Sequence, residues 1–77
     1  MTTKGEYRVG VKFNPSQNSL VDRIKRASAD LIDLIETIPA TMRDDGPRGP
    51  EVLRLKALAQ TAIEDGAMWA VKAATKE

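Results

Sequence analysis

From Pro39 to Pro50 the chain carries three prolines together with Gly46 and Gly49, and long runs of apolar residues at helical spacing lie on either side. Proline inside a helix removes a hydrogen bond and clashes with the preceding turn, so no single rod can cross this segment. It is long enough to reverse the chain. The expected fold class is therefore all-α, an antiparallel helical hairpin.

Before the loop, Ser19-x-x-Asp22 has the form of a capping box, and Val21, Ile24, Leu31, Ile35 and Ile38 recur at three- and four-residue steps. The spacing predicts a helix over 19–38. With Leu20, Ala27, Ile32 and Leu34 its apolar arc spans about 160°, wider than one partner helix covers. After the loop, Gly49-Pro50-Glu51 suits a helix start, which predicts a second helix over 51–75. Val52, Leu55, Leu58, Ile63, Gly66 and Trp69 share one broad face of it, while Leu53, Ala57, Met68 and Val71 cluster on the other side. Gly66 beside Ala59, Ala62 and Ala73 suggests a strip where another backbone comes close. Ahead of both helices, Tyr7, Val9, Val11 and Phe13 alternate with Arg8, Gly10 and Lys12 and stop at Asn14-Pro15. Such alternation predicts a short extended arm or edge strand within residues 1–17.

A lone strand has no partner in its own chain, and a 77-residue domain is marginal by itself. Disulfides are excluded, and the usual zinc and iron sites nearly so, because the chain has neither Cys nor His. No metal or cofactor is expected. Self-association into a homo-oligomer is the remaining reinforcement. No apolar run is long enough for a signal peptide or a membrane span, so a cytoplasmic protein is expected. The net charge is +1, yet residues 1–27 hold six cations against two acids and the remainder six against nine. A phosphate-bearing partner should meet the first third of the chain.

Enzymatic chemistry has little to work with. The best candidate is Asp30-x-x-Asp33-x-x-Glu36, which with Glu64 or Asp65 could hold magnesium for nucleotide hydrolysis. These acids fan over the polar side of the first helix, and a solvated face is the plainer reading. Arg23, Lys25 and Arg26 are more informative, because cations are disfavoured in the first turns of a helix. Arg26 has a plain explanation in a four-residue pairing with Asp22 or Asp30. Lys25 and Arg23 border the apolar arc, where a charge can reach into a cleft, and Lys25 is the favoured phosphate contact. Trp69 is expected to pack in the hairpin core. Tyr7 lies beyond such a core with Arg8 beside it, a pair able to stack on a base and hold its phosphate, although a purely structural strand position suits Tyr7 as well.

The run Leu55 to Ala73, above all Glu64-Asp65-Gly66-Ala67-Met68-Trp69-Ala70-Val71-Lys72, resembles the second helix of a phage family of helical hairpins, the anti-CBASS and anti-Thoeris sponges. Val21-Asp22-Arg23-Ile24-Lys25 and Leu31-Ile32-Asp33-Leu34 extend the likeness to the first helix, over about two thirds of the chain. The resemblance implies a homo-oligomer, often a hexamer, that sequesters cyclic di- or trinucleotides or cyclic ADP-ribose isomers without cleaving them. It implies that Tyr7 stacks on a base and that Lys25 or Arg26 holds phosphate. The likeness breaks down before Ser19, where the family has a short helix and the alternation here predicts an extended segment. An oligomeric nucleic-acid-binding or scaffold protein is the competing reading, although a net charge of +1 argues against long polyanions.

Overall fold

Among the described residues there are three helices: α1 (Lys4–Val9), α2 (Ser19–Glu36) and α3 (Arg48–Ala74). The computed structural model describes residues 1–41, 43 and 46–77, so the acidic pair Asp44-Asp45 lies outside the described residues. The assembly of helices measures 51 × 26 × 13 Å. Its least dimension is close to the width of one helix, about 10–12 Å. α2 and α3 lie side by side and antiparallel: the Asn18 amide of α2's cap donates to the Ala74 carbonyl at 3.4 Å, while Lys56 donates to the Glu36 and Ile38 carbonyls at the other end of α2.

The amino-terminal arm is not extended. Thr3 Oγ1 accepts the Glu6 N–H and the Glu6 carboxylate accepts the Thr3 N–H, a complete capping box, and Gly10 ends the helix in the left-handed region at φ 73°. These start and stop signals outweigh the period-two alternation, because an isolated strand would leave its backbone unpaired whereas a capped turn satisfies it locally. α2 is capped by Asn18, whose side chain accepts the Leu20 N–H at 2.8 Å, rather than by Ser19. It ends at Glu36, two residues earlier than the periodicity predicts. α3 begins three residues earlier than expected. Pro50 is tolerated there because the first four amides of a helix have no intrahelical partner to lose.

The seam of the hairpin differs from the broad apolar face of α3. Leu53, Lys56, Gln60, Ile63, Ala67, Ala70 and Ala74, at alternating three- and four-residue steps, are buried or half-buried. They meet Val21, Lys25, Ser28, Ile32 and Ile35 of α2, which follow the same rhythm. Polar Lys56 and Gln60 hid this stripe from a hydrophobic reading. Gln60 is 1% exposed. Its amide donates to the Ile32 carbonyl and to Glu36 Oε1, and its oxygen accepts from Lys4 Nζ, so every polar atom is matched. The expected core residue Trp69 is instead 58% exposed, with Lys72 above its ring, and Gly66 faces open space within the chain. The close backbone approach occurs at Gly5, where α1 crosses Ala29 of α2.

Among the described residues the buried apolar side chains are Val21, Ala29, Ile32 and Ala67. Ile32 is the largest of them and fully enclosed. Ile32→Ala should therefore lower unfolding free energy by about 2–5 kcal/mol, a large share of the 5–15 typical of a domain, measured by urea denaturation followed at 222 nm.

Candidate functional site

α1 packs along the carboxy-terminal half of α2, from Glu36 past Asp33 and Ala29, its following turn reaches Lys25, and together they bring cations of the first third of the chain toward the middle of α3. Between them opens a cleft of about 750 Å³, lined by Arg8, Lys25, Thr61, Glu64, Asp65 and Met68 among others. Arg8 reaches across from α1: its Nε donates to Glu64 at 2.6 Å and its Nη2 to Thr61 at 3.1 Å. Glu64, a possible magnesium ligand on sequence grounds, is thereby engaged by an arginine.

Lys25 is buried, 7% exposed, and not at the rim. Its ammonium donates to the Gly10 carbonyl at 3.0 Å and to the Phe13 carbonyl, and it sits 5.4 Å from the centre of the Phe13 ring. A lysine has three N–H donors. Two of them close the turn after α1, and the third has no partner among the described residues. Lys25 therefore holds the α1 turn against α2 as well as lining the cleft.

Tyr7 projects outward from α1 at 82% exposure. It borders a hollow of about 230 Å³ shared with Glu6, Val11, Lys12 and Phe13. Lys12, not singled out from the sequence, is exposed there and has no hydrogen-bond or ion-pair partner among the described residues. Its signal in the sequence was only its place in the basic first third. Arg26 is held by Glu6 at 2.8 Å and by Asp30 at 2.8 Å, the four-residue pairing expected, while Asp22 turns to Asn14. Arg23 is exposed and likewise without a partner among the described residues. The five candidate residues are thus divided: Arg8 and Lys25 line the cleft, Tyr7 borders the adjoining hollow, and Arg23 and Arg26 line neither.

Two acidic residues of α2 serve α1. Asp33 accepts from Thr3 Oγ1 and from the Gly5 N–H, each at 2.7 Å, and Glu36 accepts from Lys4 at 2.9 Å. Asp33 and Glu36 are thus engaged by α1, while Asp30 stays on the exposed face and pairs with Arg26 of its own helix. No group of acids with the spacing of a metal site occurs among the described residues.

A family model described as the Acb2/Tad1 hairpin domain matches residues 5–75. The chain belongs to this family, the anti-CBASS and anti-Thoeris sponges. No curated protein and no solved structure matches the chain significantly. The match opens at Gly5, inside α1, so the short first helix belongs to the hairpin domain. Residues 4–9 form a helix where the alternating pattern implied an extended departure from the family. No helix among the described residues is long and apolar enough to cross a membrane.

The hydrogen bond from the Thr3 N–H, followed by that from Arg26, lowers the Glu6 carboxyl from its ordinary 4.5 to about 2. Glu36 and Glu51 are also held below the ordinary value, chiefly by Gln60 and Arg54 respectively. A carboxyl depressed in the folded state contributes stability that is fully present above its unfolded value and lost as pH falls through its folded value. The melting temperature should therefore hold above pH 4.5 and decline toward pH 2. Glu6→Gln, followed by calorimetry across that range, should make the decline shallower.

Proposed function

We propose that this hairpin-domain protein binds cyclic nucleotides that serve as bacterial alarm signals and sequesters them without cleavage. Family membership over residues 5–75 carries the reading. In it, the exposed face of Tyr7 stacks on a base. Arg8, the remaining N–H of Lys25 and the partner-free Arg23 supply charge-assisted hydrogen bonds to phosphate. Arg26 contributes mainly by bracing Glu6. Binding without turnover is supported by chemistry that is absent as well as present: the chain has no His or Cys, and Asp33, Glu36 and Glu64 are engaged with α1 and its side chains.

The working form in this reading is a homo-oligomer, acting in the host-cell cytoplasm where such signals are made. Leu34, Leu55, Leu58, Met68 and Trp69 are each more than half exposed in the single chain. A monomer seldom leaves that much apolar surface in water. Enclosure of a ligand between subunits then supplies the burial that either open cleft lacks.

Retention decides between readings. The protein is mixed with cyclic di- and trinucleotides and cyclic ADP-ribose isomers, washed and heat-denatured, and the released ligand is weighed. Intact release is the expected outcome. An altered mass identifies an enzyme, and retention of long nucleic acid with a steep salt dependence identifies a nucleic-acid binder. Tyr7→Ala should weaken binding about ten- to a hundredfold, since a stacked base contributes roughly 1–3 kcal/mol, with little change in melting temperature. Lys25→Ala should lower affinity and melting temperature together, because it also frees the Gly10 and Phe13 carbonyls.

Sedimentation at micromolar concentration should give a species larger than a monomer, and Met68→Glu should yield smaller ones. A folded wild-type monomer would contradict the assembly.

A further inference from the structure

A ring can stack on a base at little entropic cost only if its backbone is already held, and α1 is too short to hold itself. Its six residues are well below the about 12–15 at which even good helix formers become marginally stable in water. Its cap and first turn are held at one place on α2. The Gly5 N–H belongs to the first turn, where no intrahelical carbonyl is available. It donates to Asp33 Oδ1, while the hydroxyl of the cap residue Thr3 donates to Asp33 Oδ2. One carboxylate thus grips both the cap and the first turn, with its charge against the positive end of the helix.

Gly5 makes that reach possible. It is buried, and a β-carbon built on it would lie 2.1 Å from the Ala29 carbonyl oxygen and 2.9 Å from Asp33 Oδ1. Any other residue would lift α1 off α2 and pull the amide away from the carboxylate. The other side chains that tie down α1 and its following turn, Lys4, Arg8, Arg26 and Lys25, are all long and can follow a displaced helix. The Asp33 to Gly5 bond instead joins a short side chain to backbone. Asp33 also takes no part in the Gln60 network, so the α2–α3 seam does not depend on it.

We propose that Asp33 and Gly5 are positioning residues for ligand binding: by fixing the backbone of α1 against α2 they hold Tyr7 ready to stack. The proposal rests on the binding role given to Tyr7 above, and its test separates the two. Tyr7 is the only tyrosine, so labelling with 15N-tyrosine gives a single backbone amide signal. In ligand-free wild type its heteronuclear NOE should be that of an ordered helix. It should fall in Asp33→Ala and in Gly5→Ala, while circular dichroism retains the helicity of α2 and α3. Asp33→Asn keeps an acceptor for the Gly5 N–H and should recover most of the order.

Binding is then measured with cyclic di-AMP or 3′,3′-cyclic GMP–AMP, whichever the wild type holds more tightly. Asp33→Ala should weaken it about tenfold, in line with the loss of a helix cap, and should have a clearly smaller further effect in the Tyr7→Ala background, where Arg8 alone of the α1 ligand contacts is left to misplace. An equal weakening in both backgrounds, or a Tyr7 amide that stays ordered in Asp33→Ala and Gly5→Ala, would overturn the proposal. If the wild type holds neither, the same comparison is made with whichever cyclic trinucleotide or cyclic ADP-ribose isomer it retains; if it retains none, the binding role of Tyr7 fails, and the NMR comparison still decides whether Asp33 and Gly5 order α1.

Discussion

Gln60 touches all three helices from a site that is almost wholly enclosed. From α3 its amide nitrogen donates to the Ile32 carbonyl and to Glu36 of α2, and its oxygen accepts a hydrogen bond from Lys4 of α1. A buried amide is costly unless every donor and acceptor is matched. Here the match can be made only when α1, α2 and α3 hold one particular register. With a core of so few apolar side chains, hydrophobic burial alone would tolerate sliding along the seam. The polar network selects one alignment, and the placement of Tyr7, Arg8 and Lys25 relative to one another follows from that alignment.

The same logic explains the distribution of charge. Cations in the first third of the chain form bridges between helices: Lys4 to Glu36 of α2, Arg8 to Glu64 of α3, and Arg26 of α2 to Glu6 of α1. Exposed ion pairs individually contribute little. Their consequence is orientation, since each ties a point of α1 to a different place on the hairpin. The basic surplus that points to a phosphate ligand is partly consumed in this way, and the cations left for a ligand are fewer than the sequence count implies.

Apolar surface is arranged in the opposite sense from a self-sufficient globule. The seam is small and partly polar, while Leu55, Leu58, Met68 and Trp69 lie outside it. For a member of a sponge family this is coherent. Under the proposed reading, retaining a small charged ligand needs walls: a flat hairpin provides only one, and the proposed packing of subunits through their apolar faces provides the others.

The sequence by itself determined the two long helices, the reversal between them and the family, because proline placement, apolar periodicity and the Glu64 to Lys72 run are local signals. It also contained the Thr3 and Glu6 box and the Gly10 stop, which were legible but overshadowed by an alternating pattern of similar length. What it could not determine is which residues of α3 face α2. Lys56 and Gln60 occupy the seam because their partners, the end of α2 and the Ile32 carbonyl, come from elsewhere in the chain. For the same reason only the tertiary structure turned Lys25 from a rim residue into a buried one and Asp33 from a solvated acid into the anchor of α1. A side chain's role depends on what it meets across the fold, and the pairings of Lys25 with Gly10 and Phe13, and of Asp33 with Thr3 and Gly5, exist only once α1 has folded back onto α2.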